Sequence, residues 1–301
     1  MNARVTIPDG LSAFPITPAD ADGGVDTNAL RTLVARLCAA GADSVGLLGS
    51  TGIYAYLNRT ERRRAINAAL DEAGGRVPIV VGVGALRTDE AVRLAKDARD
   101  AGAVAGLLAP VSYTPLNDDE VYEHYRTVAS ESGLPICIYD NPGTTHFGFS
   151  TDLLARLSRV EGIVAAKCPA GSPDETADHL AGLRTTAADG FSIGYSGDWN
   201  AAEAMIAGAN AWYSVLAGLY PEPCVAIVRA ARRGDADEAR RLNAALEPVW
   251  SLFRELSSLR VVYAMANATG LVRHDPPRPI LPLGPDEHDR VVRALAAAGL
   301  A

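Results

Sequence analysis

Short apolar runs alternate along the chain with longer stretches whose apolar residues recur at helical spacing. Each interval between two runs has room for one strand, one helix and two loops, which is the crossover that parallel neighbouring strands require. The runs are Leu11–Ile16, Ser44–Gly49, Pro78–Gly84, Val104–Pro110, Leu134–Asp140, Ile163–Lys167, Phe191–Ser196 and Trp212–Ala217. Eight such units predict a closed (β/α)8 TIM barrel. The alternative is an open doubly wound sheet, but no glycine fingerprint follows the first strand.

The stretches between the runs carry signals for helix starts and ends. In the first stretch Asp26 or Thr27 can cap the N-terminus, and Gly41 permits a left-handed exit. The same signals recur from Thr88 to Gly102 and from Asp118 to Gly133. The apolar stripe of the first stretch consists of Leu30, Leu33, Val34, Leu37 and Cys38. We therefore predict helices that cover the outside of the barrel.

The strand pattern ends after Tyr220. Beyond it, a proline-rich connector, Asp275–Pro285, interrupts a series of helical patterns. The predicted helices are Pro221–Gly234, Asp235–Leu256, Ser257–Gly270 and Asp286–Gly299. We predict a barrel domain of residues 1–225 and a C-terminal helical extension of residues 226–301, and we expect the extension to have a structural role.

Composition excludes several classes of protein. The net charge of −8 comes without a basic stripe, so no nucleic-acid partner is expected. No apolar run approaches 18 residues, so we expect no membrane span, and the N-terminus shows no secretory pattern. The four cysteines lie far apart in apolar segments, which favours buried thiols and a cytoplasmic location. No pair of the five histidines has the spacing of a zinc helix, so no metal site is expected.

Lysine is rare in this chain. The 28 basic residues comprise twenty-six arginines and only Lys96 and Lys167. Lys96 lies in a mixed-charge helical stretch, whereas Lys167 closes the sixth apolar run, at the strand end where barrel active sites gather. Because successive side chains of a strand point to opposite faces of the sheet, Ile163, Ala165 and Lys167 are expected on one face and Cys168 on the other. An amine in a dry lumen loses its proton more readily than in water and can then form an imine with a ketone.

Two further strand ends converge on the same region. Tyr139 ends the fifth run, one strand–helix unit before Lys167, so both side chains can reach one small substrate. The second run ends in Gly49-Ser50-Thr51-Gly52, where hydroxyls and backbone amides can hold a carboxylate. Each feature alone is more often a packing residue, a solvated lysine or a simple turn. Their convergence at one end of the barrel favours an active site.

These residues also identify a family resemblance. The chain resembles the dihydrodipicolinate synthase / N-acetylneuraminate lyase family, over residues 8–225 strongly and over the helical tail in outline. The resemblance is carried by Phe14-Pro15-Ile16-Thr17-Pro18, Gly49–Gly52, Gly82-Val83-Gly84, Leu134-Pro135 through Tyr139-Asp140-Asn141-Pro142, Ile163–Lys167 and Ser196-Gly197-Asp198.

The resemblance implies a class I, metal-independent lyase that acts on pyruvate or a 2-oxo-3-deoxy acid without an organic cofactor. Lys167 matches the Schiff-base lysine, Tyr139 the proton-relaying tyrosine, and Ser50 and Thr51 the pair that binds the carboxylate of the 2-oxo acid. Ser50 is also a candidate for the relay. Tyr213 falls where the family uses a backbone group beside pyruvate. Asp140, Ser196 and Asp198 lie in the matched motifs and are further candidates for substrate binding. Family members are commonly homotetramers built from tight dimers.

Three positions depart from the family pattern. Ile53 replaces the glutamate that usually follows the glycine-flanked turn. Ser112 occupies the place of a tyrosine that the synthase branch sends into the partner subunit, and Tyr113, one place on, is the alternative. Thr144 stands where the synthase branch has an arginine for the carboxylate of aspartate semialdehyde; losing that contact costs about 1.5–3 kcal/mol. These departures favour another second substrate, although the synthase itself and a non-catalytic 2-oxo acid or sugar-acid binder remain alternatives.

Overall fold

The computed structural model of the chain describes residues 7–301, and its centre is a closed barrel of eight parallel strands. The strands are β1 Gly10–Ala13, β2 Ser44–Leu47, β3 Ile79–Gly82, β4 Ala105–Leu108, β5 Ile136–Tyr139, β6 Ile163–Pro169, β7 Ser192–Ser196 and β8 Ala211–Ser214. Because β1 pairs with β8, the sheet has no open edge. The predicted TIM barrel is thus confirmed, and the open sheet is excluded.

Helices follow the strands and cover the barrel. They are α1 Thr27–Ala40, α2 Arg59–Ala73, α3 Thr88–Ala101, α4 Asp118–Ser132, α5 Pro142–Thr145, α6 Thr151–Leu157, α7 Pro173–Thr186 and α8 Asp198–Ile206. The side chain of Asp26 accepts hydrogen bonds from the backbone N–H groups of Asn28 and Ala29, and Gly41 takes a left-handed conformation with φ of 77°. The capping signals in the sequence therefore predicted both ends of α1 correctly.

Five further helices lie in the rest of the chain: α9 Pro221–Arg232, α10 Ala236–Ala245, α11 Glu247–Leu256, α12 Ser258–Ala268 and α13 Pro285–Ala297. The prediction of one helix over Asp235–Leu256 was wrong, because Pro248 lacks the N–H that a continuous helix needs. The predicted division between residues 225 and 226 falls within α9 and stays a prediction. None of the helices in residues 7–301 combines the length and apolar character needed to cross a bilayer.

Buried apolar side chains form two clusters, one between the barrel and its helices and a smaller one inside the barrel. The interior cluster consists of Ile7, Phe14, Val80, Ala105, Leu107, Ala109, Cys137, Tyr139, Ala165, Ala211 and Tyr213. Its small residues leave room for long side chains. The ring of Phe14 fills the space beside β2, where a Cβ at Gly46 would lie 2.2 Å from the ring. Glycine at position 46 thereby lets an aromatic ring enter the interior.

Strand β6 contains an irregularity that the sequence did not reveal. Ile136 pairs with Ile163, but the next residue, Cys137, pairs with Ala165, so Val164 is an extra residue. Such a bulge reverses the side-chain alternation. Ala165 accordingly lies in the interior cluster and Cys168 in the outer one, as predicted, whereas Ile163 lies in the outer cluster. The prediction that Ile163 shares a face with Ala165 was therefore wrong.

Candidate active site

Lys167 is enclosed by aromatic rings at the C-terminal end of the barrel. Its side chain is only 5% exposed. In the register of the β5–β6 strand pair, Lys167 lies directly opposite Tyr139. The Lys167 Nζ atom lies 3.6 Å from the centroid of the Tyr139 ring and 5.6 Å from that of the Phe14 ring. Within residues 7–301 no carboxylate forms an ion pair with this amine, so the aromatic rings are its main neighbours.

The hydroxyl of Tyr139 is held from two sides. It accepts a hydrogen bond from Asn141 Nδ2 at 2.9 Å and lies 3.2 Å from Ser50 Oγ, with either hydroxyl able to donate. Ser50 comes from the loop after β2, so three segments converge beside Lys167. Asn141 was not predicted as a site residue, although it lies only two residues after the end of β5. A hydroxyl fixed in this way can give or take a proton at a reacting group next to the lysine.

The loop after β2 is tightly turned and strained. Leu48 and Ile53 flank the Gly49–Gly52 turn with φ angles of 56° and 54°. A positive φ is costly for a β-branched side chain, and such strain is concentrated at functional sites. A Cβ at Gly52 would lie 2.9 Å from Leu48 Cα. The chain therefore folds back closely on itself and positions Ser50 and the buried Thr51 at the barrel end.

A cavity of about 540 Å³ opens above Lys167. Seven predicted site residues line it: Ser50, Thr51, Tyr139, Thr144, Lys167, Ser196 and Asp198. Residues that sequence reasoning did not select also line it, among them Tyr54, Trp199, Phe253, Ser257, Ser258 and Arg260. The last four belong to the C-terminal extension. Part of the extension, in α11 and α12, thus forms cavity wall, and the structural role expected of the extension stays a prediction.

Four predicted site residues do not line this cavity. Tyr213 is buried inside the barrel, with its ring edge-on to Phe14 and its hydroxyl 3.7 Å from Cys137 Sγ. Asp140 is also buried. Ser112 and Tyr113 lie on the loop after β4, where Ser112 Oγ donates to the carbonyl of Thr114 and the Tyr113 side chain is 97% exposed. Contact of these four residues with substrate stays a prediction.

The carboxylate of Asp198 is already fully engaged. It accepts hydrogen bonds from Trp212 Nε1 and Ser214 Oγ and from the backbone N–H groups of Val215 and Leu216, at 2.7–3.2 Å. Burial raises the pKa of Asp198, while these donors act in the opposite direction. The carboxylate thus ties the start of α8 to the end of β8 and fixes that side of the cavity. Its predicted contact with substrate is untested.

Asp140 is a buried carboxyl group with incomplete hydrogen bonding. Its Oδ1 atom has no hydrogen-bond partner among residues 7–301. Burial raises the pKa of Asp140 to about 6, against the opposing effects of a hydrogen bond from the Phe149 backbone and the charge of Lys167. The folded protein therefore holds the Asp140 proton to higher pH than the unfolded chain does.

Asp140→Asn tests this burial cost. Because the folded pKa exceeds the unfolded one, the stability that protonated Asp140 contributes is complete below pH 4 and is lost as pH rises to about 6. Asparagine does not ionise, so the Asp140→Asn variant does not lose this stability as the pH rises. We expect the change in unfolding free energy caused by Asp140→Asn to be more favourable at pH 8 than at pH 5 by about 1.4 kcal/mol. Isothermal urea unfolding at the two pH values measures it, and an equal effect at both values would contradict the assignment.

The thiols show no sign of catalytic activation. Burial raises the pKa of Cys137 to about 12 and that of Cys168 well above its usual range. Cys168 lies next to Lys167 in sequence but faces the outer cluster. No group of three or more histidine, cysteine or acidic side chains that could hold a metal ion occurs in residues 7–301. The amine and the hydroxyl groups therefore stay the predicted reactive functions of the described site.

Comparisons with known proteins agree with this geometry. A profile of the Dihydrodipicolinate synthetase family matches residues 8–298. A 4-hydroxy-tetrahydrodipicolinate synthase of Azoarcus sp. (strain BH72) is 35% identical over 95% of this chain and 96% of its own. A solved dihydrodipicolinate synthase from Agrobacterium tumefaciens str. C58 is 55% identical, covers 99% of both chains and superposes with a TM-score of 0.95.

A second solved structure shows a ligand. The chloride-inhibited dihydrodipicolinate synthase from Acinetobacter baumannii, determined in complex with pyruvate, is 30% identical, with coverage of 98% of this chain and 100% of that chain and a TM-score of 0.90. The family profile spans nearly the whole chain, and the relatives match along almost their full lengths. The chain belongs to the dihydrodipicolinate synthetase family, a family of class I, Schiff-base-forming lyases.

Proposed function

We propose that the protein cleaves or forms bonds next to the ketone of pyruvate or a 2-oxo-3-deoxy acid through an imine on Lys167. One observation carries the proposal: the Lys167 amine is almost fully buried and lies 3.6 Å from the centroid of the Tyr139 ring, whose hydroxyl two further side chains hold in place. An exposed lysine would lack this burial and the adjacent proton donor. The proposal therefore depends on the placement of these groups as well as on the family.

Each step has a residue suited to it. The lone pair of Lys167 Nζ attacks the ketone carbon, and the ketone oxygen leaves as water after two proton transfers. The Tyr139 hydroxyl supplies and recovers protons beside the amine, and Ser50 Oγ continues the hydrogen-bond path. The protonated imine then accepts the electron pair of a bond broken at the neighbouring carbons. The sequence of steps requires neither a metal ion nor an organic cofactor.

The substrate carboxylate needs a separate site. The turn of Ser50 and Thr51 supplies hydroxyl and backbone donors at the barrel end and lines the same cavity as Lys167. Backbone N–H groups in such turns bind anions. We assign the carboxylate of the 2-oxo acid to this turn, which directs the ketone toward the amine. Ser196 and Asp198 lie on the β7 side of the cavity and delimit the remaining space.

Borohydride trapping tests the proposal. The folded protein is incubated with pyruvate and reduced, so that hydride adds to the imine carbon and fixes a secondary amine. Intact-mass analysis is expected to show one reduced pyruvyl group per chain, and peptide mapping is expected to place it on Lys167. Absence of an adduct with pyruvate and with every longer 2-oxo acid tested would refute the proposal.

The reaction named for the relatives is the second candidate. The Azoarcus and Agrobacterium proteins are called 4-hydroxy-tetrahydrodipicolinate or dihydrodipicolinate synthases, and this favours aspartate semialdehyde as the aldehyde partner. In this chain Thr144 lines the cavity without a charge. Turnover of pyruvate with aspartate semialdehyde, compared with turnover of 2-oxo-3-deoxy sugar acids, decides between the two candidates.

We also propose that the chain forms a homo-oligomer, either a tight dimer or a tetramer. The support is Tyr113, a large side chain that is 97% exposed on the loop after β4. Tyr113 stands one place after the position from which the synthase branch of the family sends a tyrosine into the partner subunit. Light scattering of the purified protein gives the number of chains.

A further inference from the structure

The charged side chains of the cavity are few, and they differ in their partners. The described lining contains Lys167, Asp198 and Arg260 as its charged residues. Lys167 is the proposed nucleophile, and Asp198 is occupied by four hydrogen-bond donors. Arg260 remains without an assigned role. It lies in the first turn of α12, in the part of the chain that follows the barrel.

Arg260 has no partner in the described part of the chain. No hydrogen bond, ion pair or ring contact of its guanidinium is found within residues 7–301, and the first turn of α12 contains no acidic side chain. Other arginines of the extension differ: Arg254 pairs with Glu247, and Arg290 with Glu255. A half-buried guanidinium that lines a substrate cavity without a counter-ion is suited to an anion from outside the chain.

A structural role would require a partner on the other side of the helix. Arg260 also borders a shallow groove that contains Glu287. However, the Glu287 carboxylate accepts a hydrogen bond from the backbone of Gly284 at the start of α13 and forms no ion pair with Arg260. Glu287 therefore does not serve as the counter-ion of Arg260, and the cavity that Arg260 also lines can admit an anion from outside the chain.

We propose that Arg260 binds a second anionic group, a carboxylate or a phosphate, at the end of the substrate distant from the ketone. This proposal rests on the proposed function, since it assumes that the 2-oxo group reacts with Lys167. One carboxylate lies at the Ser50–Thr51 turn, and the guanidinium holds the other end of the carbon chain. Arg260 thereby selects dianionic 2-oxo acids over monoanionic ones of the same length.

The volume and the electrostatics of the cavity agree with this class of substrate. About 540 Å³ is far more than pyruvate fills and lies within the usual range for sites of larger ligands. Arg260 is contributed by α12 and Lys167 by β6, so the two residues reach the cavity from different layers of the fold. A linear dianion places one negative group at the Ser50–Thr51 turn and the other at Arg260. A neutral chain end would leave the guanidinium without a bidentate partner.

Matched pairs of 2-oxo acids test the proposal. 2-Oxoglutarate, 2-oxoadipate and 2-oxopimelate are each compared with the monocarboxylic 2-oxo acid of equal chain length, and 2-keto-3-deoxy-6-phosphogluconate with 2-keto-3-deoxygluconate. The readout is the concentration that gives half-maximal borohydride trapping. For the wild type we expect at least one dianion to reach half-maximal trapping at a concentration about ten- to a hundredfold lower than the monoanion of the same pair. Comparison of the dicarboxylic acids with the phosphorylated sugar acid shows whether Arg260 prefers a carboxylate or a phosphate.

Variants locate the effect. In Arg260→Ala the preference for the dianion is expected to disappear, and in Arg260→Lys part of it should remain because a single charge is kept. Trapping of pyruvate, which is too short to need Arg260, should be unchanged in both variants and also confirms that they fold. Arg293→Ala is the matched control, since Arg293 is exposed on α13 and does not line the cavity. It should retain the full preference.

The possible failures are distinguishable. If the wild type traps no 2-oxo acid at all, the proposed function itself fails. If it traps pyruvate but prefers no dianion in any pair, or if the preference survives Arg260→Ala, the role of Arg260 is overturned while the imine chemistry stands. Loss of pyruvate trapping in Arg260→Ala, with an intact circular dichroism spectrum, would also overturn it, because Arg260 would then act at the reaction centre.

Discussion

Lys167→Arg is expected to reduce turnover by at least about 10⁴-fold and to abolish the borohydride adduct. Arginine keeps a positive charge next to the rings of Tyr139 and Phe14, but its guanidinium stays protonated and cannot attack a ketone. The variant therefore separates the charge of Lys167 from its nucleophilicity. Turnover of a 2-oxo-3-deoxy acid and intact mass after reduction with pyruvate measure the two effects.

The chain offers a close control for this substitution. Lys96, the other lysine, lies on α3 outside the cavity, so Lys96→Arg should leave both turnover and the adduct unchanged. Because arginine is larger than lysine and the site is nearly closed, Lys167→Met provides a second test of similar length without an amine. Circular dichroism and thermal unfolding show whether each variant is folded. Appreciable turnover in folded Lys167→Arg or Lys167→Met would refute the imine role.

The sequence predicted the parts of the site that depend on local periodicity. Strand alternation and the one-unit spacing were enough to bring Tyr139 and Lys167 together, since neighbouring strands in a barrel meet at a fixed register. The same reasoning failed at Ile163, because alternation assumes that every residue is paired and the extra residue Val164 breaks that assumption. A bulge is set by how two strands fit together, and the β6 run alone contains no signal for it.

The contribution of the C-terminal helices could not be found in the same way. Arg260 reaches the cavity because α11 and α12 pack over one end of the barrel, which depends on contacts between segments far apart in sequence. A helical pattern predicts the helix but not the surface on which it lies. By contrast, Pro248 was visible in the sequence, and its missing N–H is sufficient reason to end one helix and begin another.

Tyr139→Phe is expected to lower turnover by about 10²- to 10³-fold while it changes the pyruvate concentration for half-maximal trapping by less than about threefold. Phenylalanine keeps the ring, whose centroid lies 3.6 Å from Lys167 Nζ, so the enclosure of the amine is preserved. It removes only the hydroxyl that Asn141 and Ser50 hold in place. Steady-state turnover and a trapping titration give the two values.

Tyr263→Phe provides the control for loss of a buried hydroxyl. Tyr263 is buried in α12, and its hydroxyl has no hydrogen-bond partner in the described chain, so turnover should not change. A hydroxyl that moves protons affects the rate of bond cleavage, whereas a hydroxyl that only orders the site affects binding and rate together. If Tyr139→Phe weakened trapping as much as turnover, its hydroxyl would be a packing and positioning group, and proton transfer would have to be assigned to Ser50 or to water.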